Sequence, residues 1–274
     1  MDEFERAFAL MDRLDERTAE RLEPTPLRAG SGRTRGLNRV HDLNFLRAEE
    51  PGDATAEELA AEAERVQGAA GIGHRRVNIR GEEQRERLEP QFVRLGWEPQ
   101  RFVLMVQRRE PDRPAEHEVR EVDEPTLRPL WAEAIRSEPH GQDETLVQQI
   151  LEHRRDVGQA IPTRLFAAEA DGKLVAHTSS IPRTASARSR TSTRWRTTAE
   201  EAWRARSSLR GVAESHAAGN DLTFLVADAD DWPQRLYEKL GFETVGRYAR
   251  FLKPRAVETT NGARRPRSSR SLPR

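Results

Sequence analysis

The sequence predicts an α/β fold, a mixed sheet flanked by helices, built as two similar halves. Three observations carry this. Amphipathic helical stretches alternate with short apolar strands along most of the 274 residues. Charged residues make up 34% of the chain and hydrophobic ones 35%, which suits compact α/β units with charged helix surfaces better than one very large core. FVRLGWE at 92–98 also matches YEKLGFE at 237–243, each closing a helix and leading into a strand.

Taken in order, 3–22 is an amphipathic helix, with Phe4, Phe8, Met11 and Leu14 near helical spacing. EPTPLRAGSGRTRG (23–36) has the composition of a linker, and VHDLNFL (40–46) alternates like a strand. Thr55 caps a helix over 56–67, with Glu58 at the capping-box position. GAAGIG (68–73) breaks that helix. A strand over 74–79, a helix over 82–94 ending at Gly96 and a β-rich run over 101–109 follow. EPDRPAEHE (110–118), polar with two prolines, marks a boundary. Beyond it come a strand at 118–122, helices at 124–136 and 143–154, and strands at 164–170 and 173–178 joined by Asp171-Gly172. A helix to 217, a strand at 222–227, a helix at 232–239 and a strand at 244–252 complete the order, with 164–170, 173–178 and 222–227 expected in one mixed sheet. The organisation is therefore 1–112, a linker at 113–116, 117–253, and a basic, disordered tail at 254–274. The tail holds six arginines against one glutamate, and a solvated tail competes with a polyanion contact.

Composition excludes several classes. The 46 basic and 46 acidic residues cancel, so no global charge draws the chain to nucleic acid or an anionic membrane. With no cysteine there are no disulfides, thiolate metal sites or cysteine nucleophile. No apolar run approaches the roughly 20 residues of a membrane span. The acidic, amphipathic N-terminus is wrong for a signal peptide, so a cytoplasmic protein is expected. The seven histidines show no metal-site spacing, and no nucleotide-binding P-loop or G-x-S-x-G elbow occurs.

The most readable element is DLTFLVADADDWPQRLYEKLGF (221–242). Leu236 and Leu240 share a helix face, Gly241 ends the helix in the left-handed region, and Phe242 starts the next strand. This strand, acidic turn, helix and LYEKLGF resemble the late signature of GNAT-superfamily N-acetyltransferases. The resemblance covers 117–253 and, more loosely, the first half, as in a tandem GNAT protein. It implies an acetyl-CoA co-substrate and an acceptor that is a small-molecule or peptide amine, with no membrane partner. It also makes Tyr237 the general acid for the departing thiolate, a role its phenol suits; simple packing at a helix end is the competing reading. Asp230 stands where many relatives place a coenzyme-contacting asparagine. As an acid it cannot donate, so coenzyme contact and helix capping compete for Asp230 and Asp231. In the first half Phe92 occupies the place of Tyr237 without a hydroxyl, which marks that half as a degenerate copy with a structural or substrate-shaping job. Glu133, Glu138 and His140 lie in the helix region where relatives often contact substrate, but charged helix surface is the favoured reading of each.

One family feature is missing. The glycine-rich turn that would hold pyrophosphate through backbone N–H groups should fall between 173–178 and 222–227. The chain there reads SSIPRTASARSRTSTRWRTTAEEAWRARSSLR (179–210), with eight arginines and twelve Ser or Thr. A buried strand does not look like this. With synonymous codons chosen for 198–208, a reading one base upstream can give Arg-Gly-Gly-Gly-Leu-Ala-Arg-Ala-Val-Val, the missing turn and the start of its helix. The stretch before it can likewise give an alternation of acidic and apolar residues. The segment thus reads as frameshifted between two compensating indels; a genuine Arg/Ser/Thr-rich insertion is the competing reading. The expected activity is acetyl transfer from acetyl-CoA to an amine, impaired in the sequence as it stands. A non-catalytic GNAT-like scaffold is the alternative, and a nucleic-acid role has only Trp195 and Trp203 for stacking.

Overall fold

The computed structural model describes residues 1–19, 21–25, 29–33, 37–110, 119–138, 141–170, 172–180, 187–189, 198–230 and 233–254. The 113–116 linker, Asp231, His140 and all of the tail except Pro254 lie outside them.

Helix α1 (Glu3–Thr18) begins at Asp2, whose carboxylate accepts the Glu5 N–H at 2.8 Å, and it buries Ala7, Phe8, Leu10 and Met11. It stops short of residue 22 because the chain turns into strands β1 (Arg21–Thr25) and β2 (Ala29–Arg33), an antiparallel hairpin. The expected linker at 23–36 therefore contains most of a hairpin. Pro24 is accommodated because β1 is an edge strand, where a missing N–H is tolerated.

The strand expected at 40–46 is also corrected. His41–Leu43 form a 3-10 turn, and β3 runs Phe45–Ala48. The cause is Asn44, fully buried, whose amide donates to the carbonyls of Leu37 and Val40 at 2.8 and 2.9 Å and holds the turn closed. Helix α2 (Ala56–Ala63) carries the complete Thr55/Glu58 capping box and continues as a π turn to Gly68. Strand β4 (Arg75–Arg80), helix α3 (Glu82–Arg94) and strand β5 (Glu98–Gln107) follow. The second half supplies β6 (Val119–Val122), α4 (Glu124–Arg136), α5 (Glu144–Ala160), β7 (Arg164–Ala170) and β8 (Lys173–Ser180). It ends with β9 (Ala187–Ser189), α6 (Thr198–Ala217), β10 (Thr223–Asp228), α7 (Pro233–Lys239) and β11 (Phe242–Lys253).

The strands form an eight-stranded mixed sheet in the order β1-β2-β3-β4-β11-β5-β10-β9 and a three-stranded antiparallel sheet β6-β7-β8. Strands 164–170, 173–178 and 222–227 therefore do not share one ladder, contrary to expectation. The strand that would join the two sheets is β9, which has three residues in the Arg/Ser-rich segment. It pairs with β10 and lies beside β8 without a ladder to it.

Within the large sheet the halves repeat. β3 and β4 run parallel, as do β9 and β10, and each parallel pair is followed by a helix and a long strand. Those last strands change places. β11, from the second half, lies against β4, while β5, from the first, lies against β10, and the two pair antiparallel at the centre. Val103, Leu104, Met105 and Val106 of β5 are buried on both faces, which explains the unbroken apolar run at this point.

A buried histidine sets one pH response. His74 is 2% exposed, its ring donates to the Asn44 carbonyl at 3.3 Å, and it lies 4.3 Å from the His41 ring. Burial, with the charges of His41 and Arg76 adding to it, pushes its pKa down to about 4. The unfolded state binds this proton near the ordinary value of about 6.5. The stability is therefore complete above that value and is lost as pH falls towards 4. The loss should reach about 3 kcal/mol between pH 7 and pH 4. Urea unfolding across that range should show His74→Gln, which keeps a donor, to be less acid-sensitive than the parent by this amount.

Candidate active site

The parallel pair β9/β10, helix α6 and helix α7 form the element at which the sequence places chemistry. Tyr237 projects from α7 into the core beneath the sheet. It is 4% exposed and packs with Val103, Met105, Leu225, Leu240 and Phe242. Its ring meets Phe242 edge-on at 6.2 Å, as Phe92 meets Trp97 at 5.2 Å in the first half. Phe92 is also stacked on Phe251 of β11 at 4.3 Å, so the first-half position is closed by aromatic packing. Both helices end on left-handed glycines, Gly96 at φ 76° and Gly241 at φ 88°.

Asp230 holds an arginine. Its carboxylate accepts from Arg101 Nη1 at 3.0 Å, and Arg101 Nε donates to Glu89 at 3.0 Å. The Arg101 hydrogen bonds hold the Glu89 carboxyl below its usual range. The bridge ties α3 of the first half to the turn after β10 of the second. Asp230 is thus placed near the end of β10 but engaged with protein.

Helix α6 starts at Thr198, so Glu200 and Glu201 fall in its first turn. The sequence at and before this first turn has no glycine, so it lacks the glycine-rich backbone turn that a pyrophosphate would need for close approach.

Across the β6-β7-β8 sheet from α6, a cavity of about 520 Å³ is lined by Trp131, His153, Arg154, Leu165, His177 and Ser179, among others. His177 and Ser179 reach it from β8, the strand beside β9. The Trp131 ring lies 5.8 Å from His177 on one side and takes the Arg154 guanidinium at 4.8 Å. Sequence reasoning passed over both histidines. The available signal was His177 interrupting the apolar strand KLVAHTSS. Of the residues it did weigh, Glu133 is exposed on α4 and Glu138 lines a second cavity.

No protein-family model and no curated protein matches the chain in sequence. Many solved structures match it in fold. A functionally unknown conserved protein from Staphylococcus epidermidis superposes with a TM-score of 0.64 at 13% identity, over 86% of this chain and 94% of that one. A GCN5-related N-acetyltransferase from Kribbella flavida gives 0.57 at 16% identity, over 92% and 95%. Another from Sphaerobacter thermophilus gives 0.52 at 16%, over 82% and 76%. The chain has the GNAT fold, the fold of the GCN5-related N-acetyltransferases. No described helix is long and apolar enough to cross a membrane.

Proposed function

We propose that this chain is an acyltransferase of the GNAT type, built to move acetyl from acetyl-CoA to a small-molecule or peptide amine, and impaired in the sequence as it stands. The observation that carries this reading is the β9-α6-β10-α7-β11 unit. Its parallel strand pair leads to a buried tyrosine, and it contains the segment whose sequence resembles the late GNAT signature. Tyr237 is the assigned proton donor, and the 520 Å³ cavity on the opposite face is the assigned acceptor side. Because no glycine-rich turn precedes α6, no catalytic step is derived there for the present sequence. That same absence favours the second reading, a non-catalytic scaffold. The readings separate in a chain whose 179–210 segment is replaced by the frame-restored sequence. There, Tyr237→Phe is expected to lower kcat roughly 100-fold while changing coenzyme affinity little. Thiol release with a panel of amines, paired with a coenzyme titration, measures both. A restored chain that binds coenzyme but acetylates nothing supports the scaffold.

A further inference from the structure

A second cavity, of about 440 Å³, lies between the halves, bounded by α1, the 41–43 turn, β3, β4, α4, α5 and β11. Its lining mixes polar residues with an apolar wall that includes Met11, Leu43, Phe45, Ile135, Ile150 and Ile161. At one end stands Arg250, with Asp42 and Asn78 beside it.

The Arg250 guanidinium lies over the Phe102 ring at 4.7 Å and the Tyr248 ring at 5.5 Å but is poorly served in hydrogen bonds. Its Nη1 is 3.5 Å from Asp42 and its Nη2 is 3.4 Å from the Tyr248 hydroxyl, while its buried Nε has no hydrogen-bond partner among the described residues. Good charge-assisted hydrogen bonds are about 2.7–2.9 Å. Asp42 is committed instead to Arg76, 2.5 Å away, whose side chain is 2% exposed and whose Nη2 also lacks a hydrogen-bond partner among the described residues. One carboxylate therefore serves two guanidiniums. On the same sheet face Arg47 and Arg80 share Asp12 at 2.7 and 2.8 Å, but Glu49 gives Arg47 a second carboxylate at 2.8 Å. Asp15, which also lines the cavity, attracts Arg250, and Glu138 and Arg154 complete its charged lining.

A buried guanidinium with unmet N–H donors is costly, and a guanidinium fork matches a carboxylate in two parallel hydrogen bonds. A cleft that sets an apolar wall beside a few convergent polar groups is the usual form of a small-molecule site. We propose that this cavity binds a small carboxylic acid with an apolar body, its carboxylate on Arg250 and its body against Leu43, Phe45 and the α4/α5 wall. Arg76 acts from behind as a positioning residue, occupying Asp42 so that Asp42 does not close over Arg250. The inference concerns the chain as it stands and does not rest on acetyl transfer.

The test is equilibrium titration of the full chain with hexanoate, phenylacetate, hexylamine and hexanol. Hexanoate and phenylacetate are expected to bind at least about tenfold tighter than the amine and the alcohol, a difference of about 1.4 kcal/mol. Arg250→Met should weaken the acids by a similar factor. Leu43→Trp, which fills the space and leaves every charge in place, should weaken them too, and it decides the matter if Arg250→Met does not fold. Hexylamine binding as tightly as hexanoate would show that Asp15, Asp42 and Glu138 govern the cavity and would overturn the proposal. Acid binding that survives both variants, or no binding of any probe, would do the same.

Discussion

Replacing residues 179–210 with the frame-restored sequence is expected to tighten acetyl-CoA binding by at least a thousandfold. The restored Arg-Gly-Gly-Gly-Leu-Ala turn presents backbone N–H groups and a helix N-terminus to the pyrophosphate where the present chain has Glu200 and Glu201 in the first turn of α6. Hydrogen bonds to a charged group contribute roughly 1.5–3 kcal/mol each, so three of them account for the factor at about 1.4 kcal/mol per tenfold. Removing two like charges adds to it. Arginines in the 183–210 stretch could contact phosphate, but only after long side chains have been ordered. Calorimetric titration of both chains with acetyl-CoA measures the difference. Micromolar affinity in the present chain would show that its 179–210 segment is a working insertion.

Gly241→Ala is expected to cost about 3 kcal/mol or more, against about 1 kcal/mol for Gly96→Ala at the matching place in the first half. Both glycines have positive φ, so both substitutions meet the left-handed penalty of roughly 1–2 kcal/mol. They differ in surroundings. A Cβ on Gly241 would stand 2.0 Å from the Arg109 carbonyl oxygen, whereas one on Gly96 meets nothing within 4 Å. Relief requires the backbone to move, and Gly241 is fixed there because its carbonyl accepts the Arg108 N–H at 2.8 Å. The broken hydrogen bond adds about 1 kcal/mol to the displaced packing of Leu240 and Phe242 in the central core. Urea midpoints of the two variants give the comparison directly. Equal losses would mean that the Arg109 contact yields without cost.

Local rules made most elements readable. The Thr55/Glu58 pair announced α2, Gly96 marked the end of the helix over 82–94, and LYEKLGF announced α7, although the burial of Tyr237 in the core was not read from it. What local rules could not show was partnership. RFVLMVQ reveals that β5 is buried on both faces, yet nothing in it says that its neighbours are β10 and β11 rather than β4. The 40–46 alternation failed because the Asn44 side chain closes a turn onto the backbone four and seven residues before it, a local side-chain contact that hydrophobic periodicity does not register. The candidate site divided in the same way. Tyr237 sits in a contiguous motif, whereas Trp131, His153 and His177 come from separate elements and meet only in the folded chain. Asp230 looked like a ligand contact by position, but its partner Arg101 lies 129 residues away in sequence.

The exchange of β5 and β11 gives the chain the topology of a strand-swapped dimer whose two protomers have been fused into one polypeptide. Each half donates its last strand to the other, so the connection between β5 and β6 acts as a tether that keeps the two donations at high mutual concentration. Severed there, both pieces would present an open groove beside a parallel strand pair, and their pairing would become bimolecular and dependent on concentration. The first half is for this reason indispensable even if it binds nothing, because the strand flanking β10 on the side of Tyr237 belongs to it.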